Sequence, residues 1–182
     1  MTMKKTIIAL QLILFFALAG CASKKIAPGI TPVVNFDGDQ YLGTWYEIAR
    51  MDNFFERGLF NVTADYSLND NGTIKVVNRG YKRSDEEWKS IEGKARFVGD
   101  ETVGHLQVSF FGPFYASYVV FDLEEAYQYA FVTGANKKVL WLLAREPEVP
   151  DELLTRFKEE AAALGYNMDN MIFDVQRQEL PR

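Results

Sequence analysis

The sequence predicts an all-β fold: an eight-stranded up-and-down antiparallel β-barrel with one C-terminal helix packed outside and a short ninth strand. Between residues 41 and 145, short segments rich in Val, Ile, Phe and Tyr alternate with turn residues, without a long helical pattern between them. An amphipathic helical pattern follows the last segment. Closing eight antiparallel strands into a barrel removes both exposed sheet edges. Strand spacing alone leaves a two-sheet sandwich open.

Turn residues bound each predicted strand. The clearest boundary is Asp70-Asn71-Gly72, because Asn and Gly tolerate the positive φ of a tight hairpin. Gly99-Asp100 and Gly112-Pro113 mark two others. The strands are expected at about 44–52, 60–69, 73–83, 87–98, 104–111, 115–123, 127–134 and 138–145. A barrel of eight strands has an interior wide enough for one small ligand.

The C-terminal region predicts one helix and one strand. Apolar residues recur at helical spacing between Pro147 and Leu164. Asp151 is expected to cap the start of the helix, and Gly165 suits its end. The apolar stretch 171–175 predicts the ninth strand.

The first twenty residues predict an export signal. Lys4 and Lys5 precede an apolar run at 7–19 that only Gln11 interrupts. As a helix this run is about 20 Å long, too short to span a hydrocarbon core of roughly 30 Å. A buried N-terminal helix, the alternative, would need a polar face that the run lacks.

The only cysteine, Cys21, directly follows this segment. Leu18-Ala19-Gly20-Cys21 resembles the bacterial lipobox, in which the cysteine becomes lipidated and then starts the mature chain. The alternative is a free structural thiol, but at the end of an export signal the lipobox is favoured. By resemblance to lipoprotein sorting rules, the absence of aspartate after Cys21 favours the outer membrane. Without a second cysteine, the fold cannot depend on a disulfide.

The domain division follows from these segments. We expect a signal peptide at 1–20, a lipidated tether at 21–35, a barrel domain at 36–178 and a tail at 179–182. Loss of Lys4 and Lys5 with the signal leaves 18 Lys and Arg against 25 Asp and Glu, a net charge of about −7. Such a chain has no global attraction to nucleic acid or to anionic membranes, so membrane contact is expected from acyl chains.

Three short motifs, in order, resemble the signature of the lipocalin family. Gly43-Thr44-Trp45 resembles the opening G-x-W motif, and Val120-Phe121-Asp122 the second, although the usual Thr-Asp-Tyr is incomplete. Arg145 resembles the third, and the predicted helix follows it as the family requires. The resemblance covers about residues 35–178. It is closer still to a bacterial outer-membrane member, through segments 41–50, 55–58 and 108–115.

The barrel topology predicts a structural closed end. Strand one begins where strand eight finishes, so Trp45 and Arg145 should lie on neighbouring strands at the same rim. A guanidinium over an indole face contributes roughly 0.5–2 kcal/mol. Asp122, which ends strand six, is expected at this rim as well. The predicted closed end therefore comprises Gly43, Trp45, Asp122 and Arg145.

The opposite rim is expected to be the mouth of a ligand cavity. Its loops, at 53–59, 84–86, 112–114 and 135–137, carry several phenylalanines that are costly to expose unless something apolar meets them. The alternative is that they only cover the barrel core. The ligand-binding candidates are Arg50, Phe54, Arg57, Phe60, Phe111, Phe114, Tyr115 and Tyr129, with the arginines nearer a phosphate or carboxylate.

Strand alternation adds two expectations about direction. Tyr127, Tyr129, Phe131 and Thr133 would share one face, as would Tyr118, Val120 and Asp122. If Trp45 points inward, Glu47 does so in a regular strand, unless a bulge turns it outward. The sequence leaves that choice open.

The function expected from these features is lipid binding. A closed barrel, an aromatic mouth and a lipid anchor suit a hydrophobic ligand. The family resemblance implies fatty acids or lysophospholipids, with storage or transport in membrane maintenance under stress. We expect a lipid ligand and a lipid-anchored chain on the periplasmic face of the outer membrane. No nucleic-acid partner is expected, and a homodimer is left open.

Neither an enzyme nor a cofactor is expected. His105 is the only histidine and has no thiol partner, and the G-x-S-x-G elbow is absent. No cluster has metal-ligand spacing, so no metal site is predicted. A tetrapyrrole ligand, a lipid-modifying enzyme and a filled barrel without ligand are the alternatives. The lack of a well-placed axial residue disfavours haem.

Overall fold

The computed structural model describes residues 24–173 and Gln176, and they form a closed antiparallel barrel. Each strand pairs with the next, β8 pairs with β1, and β1 also pairs with β2. This closure confirms the predicted barrel and excludes the sandwich. The strands are β1 (Gly43–Met51), β2 (Leu59–Leu68), β3 (Ile74–Lys82), β4 (Glu87–Phe97), β5 (His105–Phe111), β6 (Phe114–Leu123), β7 (Tyr129–Thr133) and β8 (Leu140–Ala144).

The ninth strand, β9 (Met171–Phe173), lies outside the closed ring. It pairs antiparallel with Ala49–Met51, the part of β1 that is no longer paired with β2. Gln176 bridges this opening, because its Nε2 donates to the Glu47 carbonyl oxygen at 2.9 Å and to that of Val62 at 3.1 Å. The barrel wall is therefore completed there by a side chain instead of a strand ladder.

Four irregularities in register interrupt the alternation of inward and outward side chains. They lie between Glu47 and Ala49, between Phe60 and Thr63, between Val108 and Phe111, and between Val120 and Asp122. An extra residue in a strand turns every later side chain to the opposite face. These positions decide which predicted site residues enter the barrel.

The helix α2 (Asp151–Ala163) packs against the outer face of β7, β8 and β1. Phe157 and Ala161 are buried against Phe131, Leu140 and Leu142. The helix ends as predicted, with Gly165 at a φ of +79°. Asp151 is not its cap: Pro150 holds the N-cap position, no side chain caps the helix, and Asp151 lies in the first turn. An acidic residue there still favours the helix dipole.

The segment preceding the barrel lies along the barrel wall. The Ala27 N–H donates to the Gly134 carbonyl at 3.1 Å, and that of Val33 donates to Val120 at 2.9 Å. A short helix α1 (Gly38–Tyr41), capped by the Asp37 carboxylate, then leads into β1. Residues 27–35 of the expected tether thus lie against the barrel.

Several predictions lie outside the described residues: the signal peptide at 1–20, Cys21 and the tail at 179–182. Within residues 24–173 and position 176, none of the helices has the length and apolar character needed to cross a membrane.

Candidate ligand-binding cavity

The barrel is closed at the end where β1 begins and β8 finishes. The Arg145 guanidinium lies 4.0 Å from the centre of the fully buried Trp45 ring. It also donates to the carbonyl oxygens of Thr44 at 2.9 Å and Gln40 at 2.7 Å. Gly43 has a φ of +93°, and a Cβ there would lie 3.4 Å from the guanidinium. The glycine therefore provides both the turn and the room for Arg145.

Asp122 does not join this closed end. The register shift after Val120 turns Asp122 to the outer surface, where its carboxylate pairs with Arg156 of α2. Its pKa is raised, because burial outweighs the neighbouring arginine. The expectation that Tyr118, Val120 and Asp122 share one face is therefore wrong for Asp122, which fastens the helix to the barrel.

Three tyrosines form the floor above the closed end. The Tyr118 hydroxyl lies 2.7 Å from that of Tyr41 and 3.0 Å from that of Tyr66. Burial raises the pKa of Tyr66 to about 12 and those of the other two well above the usual value. All three hydroxyls therefore stay protonated at neutral pH. The floor is an uncharged hydrogen-bonded cluster stacked on Trp45, whose ring lies 4.6 Å from that of Tyr41.

A buried ionic cluster lies on the wall. Glu47 pairs across β1 and β8 with Leu143 of the inner core, and the following register shift returns Arg50 to the same inward face. Their side chains form an ion pair and are only 4% and 3% exposed, respectively. The structure thus answers the open question: Glu47 points inward. Burial, and then the charge of Glu56, hold the pKa of Glu47 well above its usual range, opposed by Arg50.

The same cluster ties the first loop to the wall. The Arg50 guanidinium donates to the backbone oxygens of Glu56 at 3.2 Å and Leu59 at 3.1 Å. The Trp141 indole N–H donates to the Glu56 carboxylate at 3.2 Å, and the Asn53 amide donates to that carboxylate as well. The loop after β1 is therefore positioned by groups that face the interior.

The facing wall carries accessible apolar side chains. Ile91 shares its inward face with the core residue Ala95, yet it is 37% exposed, so solvent reaches the interior at its level. Phe110 packs against the inner core, and Gly93 makes room for it, since a Cβ there would lie 2.6 Å from its ring. The Asn78 side-chain oxygen is buried without a hydrogen-bond partner among the described residues.

The opposite end of the barrel, termed the open rim, comprises loops 52–58, 83–86, 112–113 and 134–139 with the strand residues beside them. Phe54 and Phe55 are 81% and 79% exposed and contact each other edge to face. Phe111 and Phe114 pair across the β5–β6 hairpin and are 61% and 54% exposed. Phe114 shares the face of β6 that carries the inner-core residues Tyr118 and Val120, so it lies at the mouth of the barrel with its partner Phe111. Arg57 lies on the open rim too, and its Nε and Nη2 donate to the Asp52 carboxylate at 3.2 and 2.7 Å.

Two other predicted ligand residues lie on the outside of the barrel near the open rim. Phe60 pairs with Tyr81 on the outward face and lies beneath the Arg83 guanidinium, 4.2 Å away. Tyr115 lies beneath Arg96, at 4.4 Å. Both were predicted from their position next to the mouth, but strand direction turns them away from the cavity.

Tyr129 is also outside, under α2. Its hydroxyl accepts a hydrogen bond from Arg156 at 2.7 Å, and its ring packs on Phe131. Tyr127 does not share this face as alternation predicted: its φ of +59° places it before the strand, and it packs into the inner core. Ala130 and Val132 are the inward residues of β7.

The sequence reasoning missed several cavity residues. Ile91 and Gly93 could have been found from alternation with Ala95, had the direction of that strand been known. Phe110 was passed over in favour of Phe111, because the register shift in β5 has no sequence signal. Asn78 and Trp141 were missed as well. They lie on the inner wall because their cross-strand partners, Ala64 and Val132, are residues of the inner core.

His105 does not face the cavity. It alternates with the inward Leu106, and its Nε2 lies 2.9 Å from the Ser117 hydroxyl. Burial lowers its pKa, so the ring is neutral at pH 7. Residues 24–173 and 176 contain no group of three or more His, Cys, Asp and Glu able to hold a metal.

Comparison with known proteins gives one family. A family model described as a lipocalin-like domain matches residues 36–176. The outer membrane lipoprotein Blc of Vibrio cholerae is 49% identical over 162 residues, 88% of this chain and 93% of that protein. The outer membrane lipoprotein Blc of Escherichia coli K12 is 45% identical over 158 residues, 87% of this chain and 89% of that protein. These matches confirm the resemblance found in the motifs.

Solved structures show the same fold at low identity. Insecticyanin from the tobacco hornworm Manduca sexta superposes with a TM-score of 0.67 at 19% identity, over 86% of this chain and 89% of that chain. Lobster apocrustacyanin A1 gives a TM-score of 0.64 at 17% identity, over 86% and 96%. These likenesses support the barrel architecture alone.

Proposed function

This chain belongs to the lipocalin family, and from that premise we propose that it binds a single-chain lipid. Lipocalins are generally proteins that bind or transport small hydrophobic molecules. The proposed ligand is a fatty acid or lysophospholipid, held with its acyl chain inside the barrel. The observation that carries this proposal is the pairing of an apolar, accessible wall at Ile91 and Phe110 with a buried ionic group at Arg50 and Glu47. Such a cavity suits an amphipathic molecule.

The shape of the interior supports one acyl chain. An eight-stranded barrel encloses space for one small ligand. The tyrosine cluster and Trp45 block its lower half, so a ligand enters and leaves by the open rim. Each methylene transferred from water contributes about 0.8 kcal/mol. Affinity should therefore rise with chain length until the chain reaches Tyr118.

Polar groups on the wall support a ligand with a polar head. Arg50 lies within an ion pair that excludes water, and a guanidinium is well suited to a carboxylate or phosphate. The Asn78 amide oxygen is buried without a partner in the described part of the chain, and a ligand hydroxyl would satisfy it. These groups favour fatty acids and lysophospholipids over a pure hydrocarbon.

The location follows from the relatives and the lipobox. Two relatives at 45% and 49% identity are named outer membrane lipoproteins. We infer that Cys21 carries the acyl anchor and that the barrel lies on the periplasmic face of the outer membrane, where it stores or carries lipid in membrane maintenance. Cys21→Ala should release a soluble or uncleaved form, and a variant that stays lipid-modified and membrane-bound would refute the anchor.

The test of ligand binding is lipid extraction and native mass spectrometry of the full purified chain. The expected result is one copurifying fatty acid or lysophospholipid per barrel. Fluorescence titration with a chain-length series should then give rising affinity up to a maximum. A barrel that carries no ligand and shows no dependence on chain length would contradict the proposal and favour a filled structural barrel. Visible absorption by the purified protein would instead indicate a tetrapyrrole.

A further inference from the structure

The N-terminal segment places the membrane anchor near the open rim. From α1 back towards the N-terminus, the chain follows the wall from Phe36, bonded to Thr102 near the closed end, to Ala27, bonded to Gly134 of the open rim. Six residue steps separate Ala27 from Cys21. Fully extended they span about 20 Å. The cysteine is therefore restricted to the neighbourhood of the open rim.

The closed end is out of reach of a short tether. A ten-residue strand is about 33 Å long and, when tilted in a barrel, rises roughly 25 Å. A tether of about 20 Å starting at Ala27 would have to double back along this whole height to bring the closed end to the membrane. Because of this length, a chain acylated at Cys21 presents either its open rim or its side to the bilayer.

The exposed phenylalanines are concentrated at that same end. Phe54, Phe55, Phe111 and Phe114 are each more than half exposed and belong to the β1–β2 and β5–β6 connections, on opposite sides of the open rim. Trp88, at the start of β4, adds a half-exposed indole to the outside of this rim, with Arg79 stacked on it at 4.5 Å. Large exposed apolar groups gathered at one end of a barrel indicate an interaction surface there, and tryptophan is suited to a membrane interface.

Charge separates the two ends of the barrel. The open-rim loops contain four acidic and four basic residues, and Lys24 and Lys25 are exposed in the tether beside them. The closed end, from Asp37 through α1 and the loops 69–73, 98–104, 124–128 and 145–150, contains nine acidic residues and one basic residue, Arg145. An anionic lipid surface therefore repels the closed end and tolerates the open rim. The net negative charge of the whole chain is compatible with this local arrangement.

From these observations we infer that the open rim is a membrane-docking surface. Its four phenylalanines insert between the head groups of an anionic phospholipid bilayer, so the cavity mouth opens directly onto the leaflet that holds the acyl anchor. The inference rests on the proposed function, because it takes Cys21 as the anchor. It adds that a lipid passes between leaflet and barrel without crossing water, since docking covers the mouth.

The test uses the full acylated chain in vesicles of phosphatidylethanolamine and phosphatidylglycerol. Acylation of Cys21 leaves no other thiol, so a nitroxide can be attached at one introduced cysteine. Gly112→Cys places it on the open rim, where a Cβ has no neighbour within 4 Å, and Asp70→Cys places it on an exposed turn at the closed end. The expected result is that lipid-soluble oxygen relaxes the label at 112 several-fold more than a water-soluble nickel complex does, with the reverse at 70.

A combined variant tests the phenylalanines themselves. Replacing the four residues with serine, as Phe54→Ser, Phe55→Ser, Phe111→Ser and Phe114→Ser, should reduce the oxygen accessibility of the label at 112 to that of the label at 70. The matched control is Val34→Ser with Leu68→Ser, two residues 70% and 60% exposed away from the open rim, which should change nothing. Circular dichroism of each variant checks that the barrel has formed.

Three outcomes would overturn the inference. Equal exposure of both labels to water, lipid exposure of the label at 70, or an unchanged label at 112 in the serine variant would each do so. A close distance between two labels at 112 without oxygen accessibility would show that a second copy of the chain covers the rim. Mass spectrometry of bound lipid on the same samples is independent of docking, so failure of docking with retained ligand leaves the proposed function intact.

Discussion

The contact between Trp45 and Arg145 offers the most direct test of how the closed end is built. Trp45→Ala removes a fully buried ring and should lower the free energy of unfolding by about 3–5 kcal/mol. Part of that loss is the indole hydrogen bond to the Tyr41 carbonyl at 2.9 Å. Arg145→Ala removes the stacked guanidinium and its donors to the backbone, and should cost about 1–3 kcal/mol.

The double variant isolates the contact itself. At 4.0 Å from the ring centre, the guanidinium should couple to Trp45 by about 0.5–2 kcal/mol, so the double variant loses less than the sum of the two single losses. The assay is equilibrium urea unfolding of the four proteins, followed by circular dichroism. Arg145→Lys is the matched control, because it keeps the charge but cannot reach two carbonyls with a fork. Coupling indistinguishable from zero would refute this account of the closed end.

Two further predictions concern the cavity. The raised pKa of Glu47 means that the folded state disfavours the charged carboxylate relative to the unfolded chain. Stability is therefore greatest below the ordinary glutamate pKa and falls as pH rises through the raised pKa. Relative to Glu47→Gln, the parent should therefore lose stability over that interval in urea unfolding, and a difference constant with pH would contradict the burial argument. Ile91→Trp should fill the accessible side of the interior and lower the affinity for long acyl chains at least tenfold, as measured by fluorescence titration. A loss of this size corresponds to roughly two methylenes that are no longer buried. Glu92→Trp, on the outer face beside it, is the control, and equal binding by both variants would exclude Ile91 from the ligand path.

The strand bounds were predictable because they depend on local chemistry. Each predicted strand ends within two residues of the observed one, since Asp70-Asn71-Gly72 and similar turns have conformational preferences of their own. The helix was found for the same reason, although its cap was not: Pro150 occupies the position expected for Asp151. The neighbourhood of Trp45 and Arg145 followed from the order of antiparallel strands in a closed barrel.

Side-chain direction was not predictable, because one inserted residue reverses it. The register shift after Val120 sends Asp122 to the helix, and the shift after Val108 separates the cavity residue Phe110 from the exposed Phe111. The side chain of Tyr129 was predicted to face the cavity because alternation was counted from Tyr127, which lies before the start of β7. The bulge at Glu47 has the opposite effect, since it brings Arg50 back to the inside.

The sequence by itself therefore determined the eight strands and their order, because periodicity and turn chemistry are properties of neighbouring residues. The three motifs then favoured closure into a barrel with Trp45 and Arg145 at one end. The tertiary structure alone decided which wall the ligand would touch and where the anchored segment leaves the barrel. Both depend on contacts between residues far apart in the chain: Arg50 with Leu59 across the gap in the first hairpin, and Ala27 with Gly134. Such contacts form only when the sheet closes, and no local pattern encodes them.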